Sequence, residues 1–426
     1  MMVRGPNGAA ALRHRWRPTE RMTKDTQHGF RTQLSHLGRA GKRRHGFVNP
    51  PLMRGSTVLY PTVAERRALA ARRGERVLTY GLGGSETHWA LEDVIATVEG
   101  GTHCAVVCSG LAAVTTPLLA FLDSGEHCLM PDSVYGPARN FADGMLKRLG
   151  IATTFYPPEI DEAGISQLMR PNTKVVYVES PGSHTFELQD VPALARAAHA
   201  HGAKVLMDNT WGIHHFQPFR HGVDVSIQAA TKYPAGHSDI LIGTVTVNSE
   251  ADWQRLGAAV RGLGQYASPD DCWLTLRGIR TMGVRLAAQM EAGLAVAHWL
   301  SERPEVAQVL HPALPGAPGH ALWKRDFTGA CSLFGVEFQP QFSTTSTHAF
   351  AEALELFGIG ASWGGFESLA LPTTGFITRT AGSGRFKGPL VRLHIGLEDV
   401  VDLIADLEQA LTVMQRHDGA KAADIS

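Results

Sequence analysis

The sequence has no excess of charge of either sign. Its 426 residues include 40 basic and 40 acidic side chains, so no long-range field attracts polyanions. No apolar run approaches the length of a membrane-spanning helix. We therefore predict a protein with neither a nucleic-acid nor a membrane partner.

Cysteine is scarce. Five cysteines, an odd number in a chain of this length, argue against a disulfide framework and favour a reducing compartment, so we predict a cytoplasmic protein. Cys104 and Cys108 do not have the spacing of a zinc-binding pair, and no second pair matches them. We therefore predict no metal site.

Acidic residues are rare in the first 45 residues, where Glu20 and Asp25 accompany many arginines. Such a start is typical of a transit peptide or of a mobile arm. We expect a disordered extension followed by an arm, and targeting stays open. The chain also has no internal repeat and no low-complexity segment.

From about Leu91 the sequence alternates between short apolar strands and amphipathic helices. This alternation predicts an α/β fold with a mostly parallel sheet that is covered on both faces. After Gly278 the pattern changes to a long helical stretch. We predict three parts, namely an extension and arm (1–84), a large domain (85–280) and a C-terminal domain (281–426).

Lys232 follows a strand-like segment and precedes a turn rich in glycine and serine. Burial favours the neutral form of an amine, and a neutral amine can react with the aldehyde of pyridoxal phosphate (PLP). A strand-end lysine in solvent is the simpler interpretation. Neighbouring features have to decide between the two.

Two other positions suit a phosphorylated pyridine. Ser109, Gly110 and Leu111 follow a strand and open a helix, where free N–H groups favour an anion. Asp208 ends an apolar strand, and its carboxylate could keep a pyridine nitrogen protonated. A plain strand–helix connection and a turn aspartate are the alternatives.

Tyr135 and Arg392 are two further candidate residues of the same site. Tyr135 lies in a turn after a strand, where its ring could stack on a planar group or simply pack. Arg392 lies in an alternating strand late in the chain. Its guanidinium suits a substrate carboxylate, although a surface ion pair is also possible.

From about Tyr80 to Leu411 the chain resembles the fold-type-I PLP-dependent enzymes of cysteine and methionine metabolism, in particular the bacterial cystathionine β-lyases. The stretches that carry the resemblance are 179–183, 207–211, 226–239, 311–316, 362–365 and 392–399. The resemblance implies a mostly parallel seven-stranded sheet in a large domain and a smaller α/β C-terminal domain. It also implies a homotetramer built as a dimer of dimers.

The resemblance implies a role for each candidate residue. Lys232 would bind PLP covalently, Asp208 would pair with the pyridine nitrogen, and Tyr135 would stack on the ring. The implied contacts to the phosphate come from Ser109, Gly110, Leu111, Thr231 and a neighbouring subunit's Tyr80. The implied contacts to the substrate come from Arg392, Ser362, Trp363 and Asn140.

The implied reaction is β-elimination from a thioether amino acid. With cystathionine the products are homocysteine, pyruvate and ammonia, a step of transsulfuration and methionine biosynthesis. Elimination or replacement at the γ-carbon, or another S-substituted amino acid, is the alternative on this fold. An alternative of a different class is a regulatory PLP-binding protein without catalysis.

The sequence departs from the relatives where they recognise the distal end of cystathionine. Leu82 and Gly83 stand where arginine is usual, and Asn140 stands where the β-lyases carry aspartate. Ala361 replaces a frequent tyrosine. Either nearby arginines compensate (Arg72, Arg73, Arg76 or Arg139), or the enzyme prefers cysteine conjugates with smaller or less polar thiols.

Overall fold

The computed structural model describes residues 28–39, 46–72, 75–382 and 386–424. Most of the arginine-rich start, for which we expected a disordered extension followed by an arm, lies outside these ranges. Among the described residues, none of the helices combines the length and apolar character that crossing a membrane requires.

A seven-stranded sheet forms the centre of the large domain, in the order β1-β7-β6-β5-β4-β2-β3. Its strands are β1 (His103–Val107), β2 (His127–Pro131), β3 (Ala152–Tyr156), β4 (Thr173–Glu179), β5 (Lys204–Asp208), β6 (Val225–Gln228) and β7 (Gly243–Val247). Strand β7 pairs antiparallel with β1 and β6, and the other pairings in this sheet are parallel. The prediction of a mostly parallel seven-stranded sheet is confirmed.

Helices cover both faces of this sheet because its strands are apolar on both sides. Val205 and Met207 pack on one face, whereas Leu206 packs on the other. The α-helices are α1 (Phe30–His36), α2 (Val63–Ala70), α3 (Glu86–Glu99), α4 (Gly110–Phe121), α5 (Gly136–Phe141), α6 (Glu162–Leu168), α7 (Val191–Ala200), α8 (Glu250–Gly262), α9 (Pro269–Ser301), α10 (His320–Asp326), α11 (Thr344–Ala353) and α12 (Val400–Asp424).

A second sheet lies in the C-terminal part of the chain, in the order β10-β11-β12-β9-β8. Its strands are β8 (Val306–Leu310), β9 (Leu333–Phe338), β10 (Gly358–Ile359), β11 (Leu369–Pro372) and β12 (Leu390–His394). Helix α12 closes its core with Leu403, Leu407 and Met414. This arrangement is the smaller α/β unit that the resemblance implied.

Helix α9 connects the two parts and runs across residue 280, where we predicted a domain boundary. It begins at Pro269, earlier than the helical stretch at 284–300 that the sequence pattern suggested. The short helix α1 packs on it, and Arg280 Nη1 donates to the Leu34 carbonyl over 2.7 Å. The three-part division of the chain stays a prediction.

Candidate active site

A cavity of about 510 Å³ lies at the carboxyl ends of β4, β5 and β6. In sheets of this kind, ligands bind at that edge. The structure brings most of the predicted site residues into its wall, from both parts of the chain: Ser109, Gly110, Leu111, Tyr135, Asp208, Thr231, Lys232, Ser362, Trp363 and Arg392.

Lys232 lies in a turn (Thr231–Ala235) after β6, and its backbone leaves helical geometry at ψ −127°. Its Nζ donates to Ser362 Oγ over 2.7 Å and lies 5.5 Å from the centre of the Trp363 ring. Burial and the nearby Arg392 lower the pKa of Lys232 to about 8, although Asp208 opposes this shift. The amine therefore loses its proton more easily than a lysine in water.

Close backbone contacts hold the Lys232 turn from two sides. Gly364 (φ +85°) packs so tightly that a Cβ atom there would lie 3.0 Å from Lys232 Cα. On the other side, a Cβ atom at Gly278 of α9 would lie 2.2 Å from the Ala235 carbonyl oxygen. Arg285 Nη2, also from α9, donates to the Tyr233 carbonyl over 2.8 Å. The position of the amine thus depends on packing between both parts of the chain.

Asp208 ends β5 beside Glu179, the last residue of β4. Its Oδ1 accepts the Thr210 N–H over 3.0 Å. Burial raises the pKa of Asp208, while the Thr210 hydrogen bonds and Lys232 act in the opposite direction. A positively charged partner in the cavity would keep this carboxylate ionised.

The start of α4 forms the wall of the cavity where an anion is expected. Ser109 caps the helix, with its Oγ accepting the Ala112 N–H over 3.1 Å. The N–H groups of Gly110 and Leu111 have no acceptor one turn earlier. Gly110 packs closely on the segment that follows β6, because a Cβ atom on it would lie 2.7 Å from the Cβ of Ala229.

Thr231 lies on the same side of the cavity, but its polar groups are already used. Its hydroxyl donates to the Ile242 carbonyl over 3.1 Å and accepts the Ile242 N–H over 2.9 Å. A phosphate contact by this hydroxyl therefore has to share or replace one of these bonds.

Tyr135 is fixed through its backbone. Its N–H donates to Glu179 Oε2 over 2.8 Å, just before α5 begins. Burial, together with the charges of Asp208 and Glu179, raises the pKa of the Tyr135 phenol. Burial and Asp208 also raise the pKa of Glu179 well above its usual range. The Tyr135 ring and the Glu179 carboxyl therefore line the cavity beside Asp208 in an environment that disfavours further negative charge.

Arg392 on β12 lines the wall together with the loop that carries Ser362. Its Nη2 donates to the carbonyls of Gly360, Ala361 and Ser362 over 3.2, 2.8 and 3.0 Å. Burial lowers the pKa of Arg392 to about 10, so the side chain remains a cation at neutral pH. His394 supports the same loop by accepting the Gly364 N–H over 3.1 Å.

Two predicted residues lie away from this wall. Asn140 is exposed on α5 and is not part of the cavity lining. Tyr80 is 54 % exposed and lines a separate groove together with Leu82 and Gly83. Within one subunit, these residues are therefore not brought together with Lys232.

The arginines that could compensate for Leu82 and Gly83 are engaged within the subunit. Arg72 pairs with Glu75, and Arg76 pairs with Glu92 and Asp93. Arg139 forms a buried ion pair with Asp132. Arg73 lies outside the described residues.

Sequence reasoning gave no role to three other residues of the wall, Glu179, His184 and Phe376. Glu179, like Asp208, ends a buried strand, and this common position at a strand end could have identified Glu179 as a residue of the site. His184 lies in a turn, and Phe376 ends a 3-10 helix of three residues (Thr374–Phe376). No periodicity in the sequence places such residues.

Comparison with known proteins agrees with this geometry. The sequence profile described as "Cys/Met metabolism PLP-dependent enzyme" matches residues 31–412. The cystathionine β-lyase of Bordetella avium is 45 % identical over 387 residues (89 % of this chain and 96 % of the relative). The cystathionine β-lyase MetC of Escherichia coli is 42 % identical over 384 residues (88 % and 96 %).

A solved structure extends the comparison to the fold. The crystal structure of MetB from Corynebacterium glutamicum superimposes with a TM-score of 0.82 and is 28 % identical; the match covers 91 % of this chain and 98 % of that one. The matched profile spans both sheets and every element that lines the cavity. The chain therefore belongs to the family of PLP-dependent enzymes of cysteine and methionine metabolism.

Proposed function

We propose that this enzyme is a carbon–sulfur β-lyase that cleaves cystathionine or a related cysteine thioether. The observation that carries the proposal is the position of Lys232. Its half-buried amine lies 2.7 Å from Ser362 Oγ, in one cavity with Asp208 and Arg392. The names of the relatives at 42–45 % identity support the substrate class.

The cavity fits PLP at each part of the cofactor. Lys232 offers an amine with a lowered pKa for covalent attachment. Asp208 offers a buried carboxylate for the pyridine nitrogen, and Tyr135 offers an aromatic ring. The N–H groups at the start of α4, in the cavity wall, suit the phosphate.

When bound, PLP supplies an electron sink for the negative charge that develops at the substrate Cα. Lys232 Nζ takes the Cα proton, which its lowered pKa favours near neutral pH. The same amine then gives a proton to the sulfur as the Cβ–S bond breaks. Asp208 holds the proton on the pyridine nitrogen. In sum, a thioether amino acid and water yield a thiol, pyruvate and ammonia.

Arg392 binds the substrate α-carboxylate in this scheme, and this gives a first prediction. Lysine at this position keeps the charge but loses the planar fork that holds two oxygens. We expect Arg392→Lys to raise KM for the thioether roughly 10- to 100-fold, since a charge-assisted hydrogen bond is lost. Pyruvate release measured across substrate concentrations tests this.

A matched control is Arg196→Lys, which alters an exposed arginine paired with Glu162. It should leave KM unchanged, because surface pairs contribute little. If Arg392→Lys also leaves KM unchanged, another residue binds the carboxylate.

The second prediction concerns the distal end of the substrate. Leu82 and Gly83 carry no charge, and Arg72, Arg76 and Arg139 are engaged within the subunit. We expect kcat/KM for cystathionine to exceed that for S-methylcysteine by no more than about tenfold, because neither the uncharged Leu82 and Gly83 nor these three paired arginines offer a strong partner for the distal carboxylate.

Comparative pyruvate release from the two thioethers provides the measurement. The variant Leu82→Arg is the matched probe, and it should increase the preference for cystathionine if the neighbouring subunit presents this turn to the cavity. A preference of several hundredfold in the unmodified enzyme would contradict the expectation.

We also propose a homotetramer in which Tyr80 of one subunit completes the phosphate site of another. The arm that carries Tyr80 exposes apolar side chains, including Phe47 (79 %) and Leu59 (89 %), and such surface favours burial against another subunit. Five free cysteines support a reducing, cytoplasmic environment.

A further inference from the structure

His184 lines the cavity beside Lys232 and Arg392, and none of the roles proposed above uses it. It lies in the loop between β4 and α7, and its ring centre is 6.1 Å from that of Phe376, another residue of the wall. The imidazole is therefore placed to touch whatever occupies this side of the cavity.

The backbone of His184 is held in an unfavourable conformation. Its φ of +65° lies in the left-handed region, which is uncommon for residues other than glycine, although asparagine, aspartate and histidine adopt it more often than the rest. Neighbouring hydrogen bonds maintain this geometry, from the Ser183 N–H to the Ser133 carbonyl (2.9 Å) and from the Phe186 N–H to the Gly182 carbonyl (3.0 Å). Strain of this kind is concentrated at functional sites.

The imidazole also carries an unsatisfied polar atom. His184 Nδ1 is buried and has no hydrogen-bond partner among the described residues. Because Nδ1 is buried, a ligand in the cavity can reach only the other ring nitrogen, Nε2. The place of His184 in the cavity wall with Arg392, together with its left-handed backbone, therefore points to ligand contact through Nε2.

The charges around His184 indicate which ligand group it meets. Burial, Arg392 and Arg379 together lower the pKa of the imidazole to about 4, so it is neutral and retains one N–H donor. Arg379 is paired with Glu187, whereas Arg392, among the described residues, donates only to backbone carbonyls, so Arg392 is the cation that makes a negatively charged acceptor favourable here. The substrate carboxylate is the anion that the proposed role of Arg392 brings there.

We propose that His184 is a substrate-binding residue that donates a hydrogen bond to the α-carboxylate bound by Arg392. This inference rests on the proposed function, because it takes Arg392 as the carboxylate-binding residue. Within the family's chemistry it makes His184 a further determinant of affinity for amino-acid substrates.

The test uses variants that suit the left-handed backbone. His184→Gly removes the imidazole without strain, whereas His184→Asn keeps an N–H donor. The probe is L-alanine, which binds to the holoenzyme without a thioether and is followed by the cofactor absorption. We expect the Kd to rise roughly 10- to 100-fold in His184→Gly and less in His184→Asn, as loss of one charge-assisted hydrogen bond predicts.

L-Alaninamide is the matched ligand, because its carboxamide carries no negative charge. His184→Gly should change its Kd by less than about threefold, the effect expected for a contact that involves no charged group. Equal weakening of both ligands, or of neither, overturns the proposal. A loss of kcat/KM confined to one thioether also overturns it, since the imidazole would then contact the S-substituent.

If His184→Gly fails to retain the cofactor, a comparison of L-alanine binding by His184→Asp and His184→Asn tests the proposal instead. Both fit the backbone, but aspartate should weaken L-alanine binding further because it repels the carboxylate. Absence of that difference overturns the proposal. Failure of the lyase function is distinguishable, since it appears as no pyruvate from any thioether while L-alanine still binds.

Discussion

Lys232→Ala should abolish pyruvate release from cystathionine and from S-methylcysteine. The variant loses both the amine that attaches PLP and the group that moves the Cα proton. We expect turnover to fall by roughly 10³–10⁴-fold or more, since general acid–base and covalent roles are lost together. The measurement is pyruvate formation by the purified variant supplied with excess PLP.

Covalent attachment gives an independent readout. Borohydride reduction should fix the cofactor on the peptide that contains residue 232 in the unmodified enzyme and not in Lys232→Ala. The control is Lys174→Ala, because Lys174 lies near the start of β4, at the end of the strand away from the cavity. Pyruvate release by Lys232→Ala at the rate of the unmodified enzyme would show that the catalytic assignment is wrong.

Asp208→Asn should produce the second-largest loss of turnover, after Lys232→Ala. Asparagine keeps the shape and the contact with Thr210 but removes the negative charge that keeps the pyridine nitrogen protonated. We expect kcat to fall roughly 10²–10³-fold, the range seen when one preorganised electrostatic partner is removed. Single-turnover pyruvate formation separates this effect from product release.

Asp224→Asn is the matched control, since Asp224 pairs with Lys204 and His199 away from the cavity. The Asp224→Asn variant should retain the kcat of the unmodified enzyme. The absorption of bound PLP provides a further check, because loss of the Asp208 charge should alter it in Asp208→Asn alone. An unaltered spectrum together with an unaltered kcat would exclude Asp208 as the pyridine partner.

Much of the large domain could be predicted from local sequence. Strand β5 and helix α7 have the bounds that the pattern suggested, because continuous apolar strands and an amphipathic helix leave a clear periodicity. Helix α9 starts earlier than predicted, at Pro269, with Ser268 as its cap. Glycines within it obscured the pattern, and Gly278 is required there by the close approach to Ala235.

The candidate residues on regular elements were also visible in the sequence. Lys232 and Asp208 follow buried strands, and parallel strands place their carboxyl ends at one edge of a sheet. His184 and Phe376 could not be found this way, because loop paths follow from packing rather than from local pattern. Nothing in the sequence alone showed that Arg139 pairs with Asp132.

The sequence by itself determined the family chemistry, since it carries Asp208, Lys232 and Arg392 in that order along an α/β chain. Only the tertiary structure decided how they meet. Ser362 is 130 positions from Lys232, yet the two side chains are 2.7 Å apart. Contacts between such distant segments depend on how α9 and the second sheet pack against the first. The same packing places His184, with its left-handed backbone, in the cavity wall with Arg392.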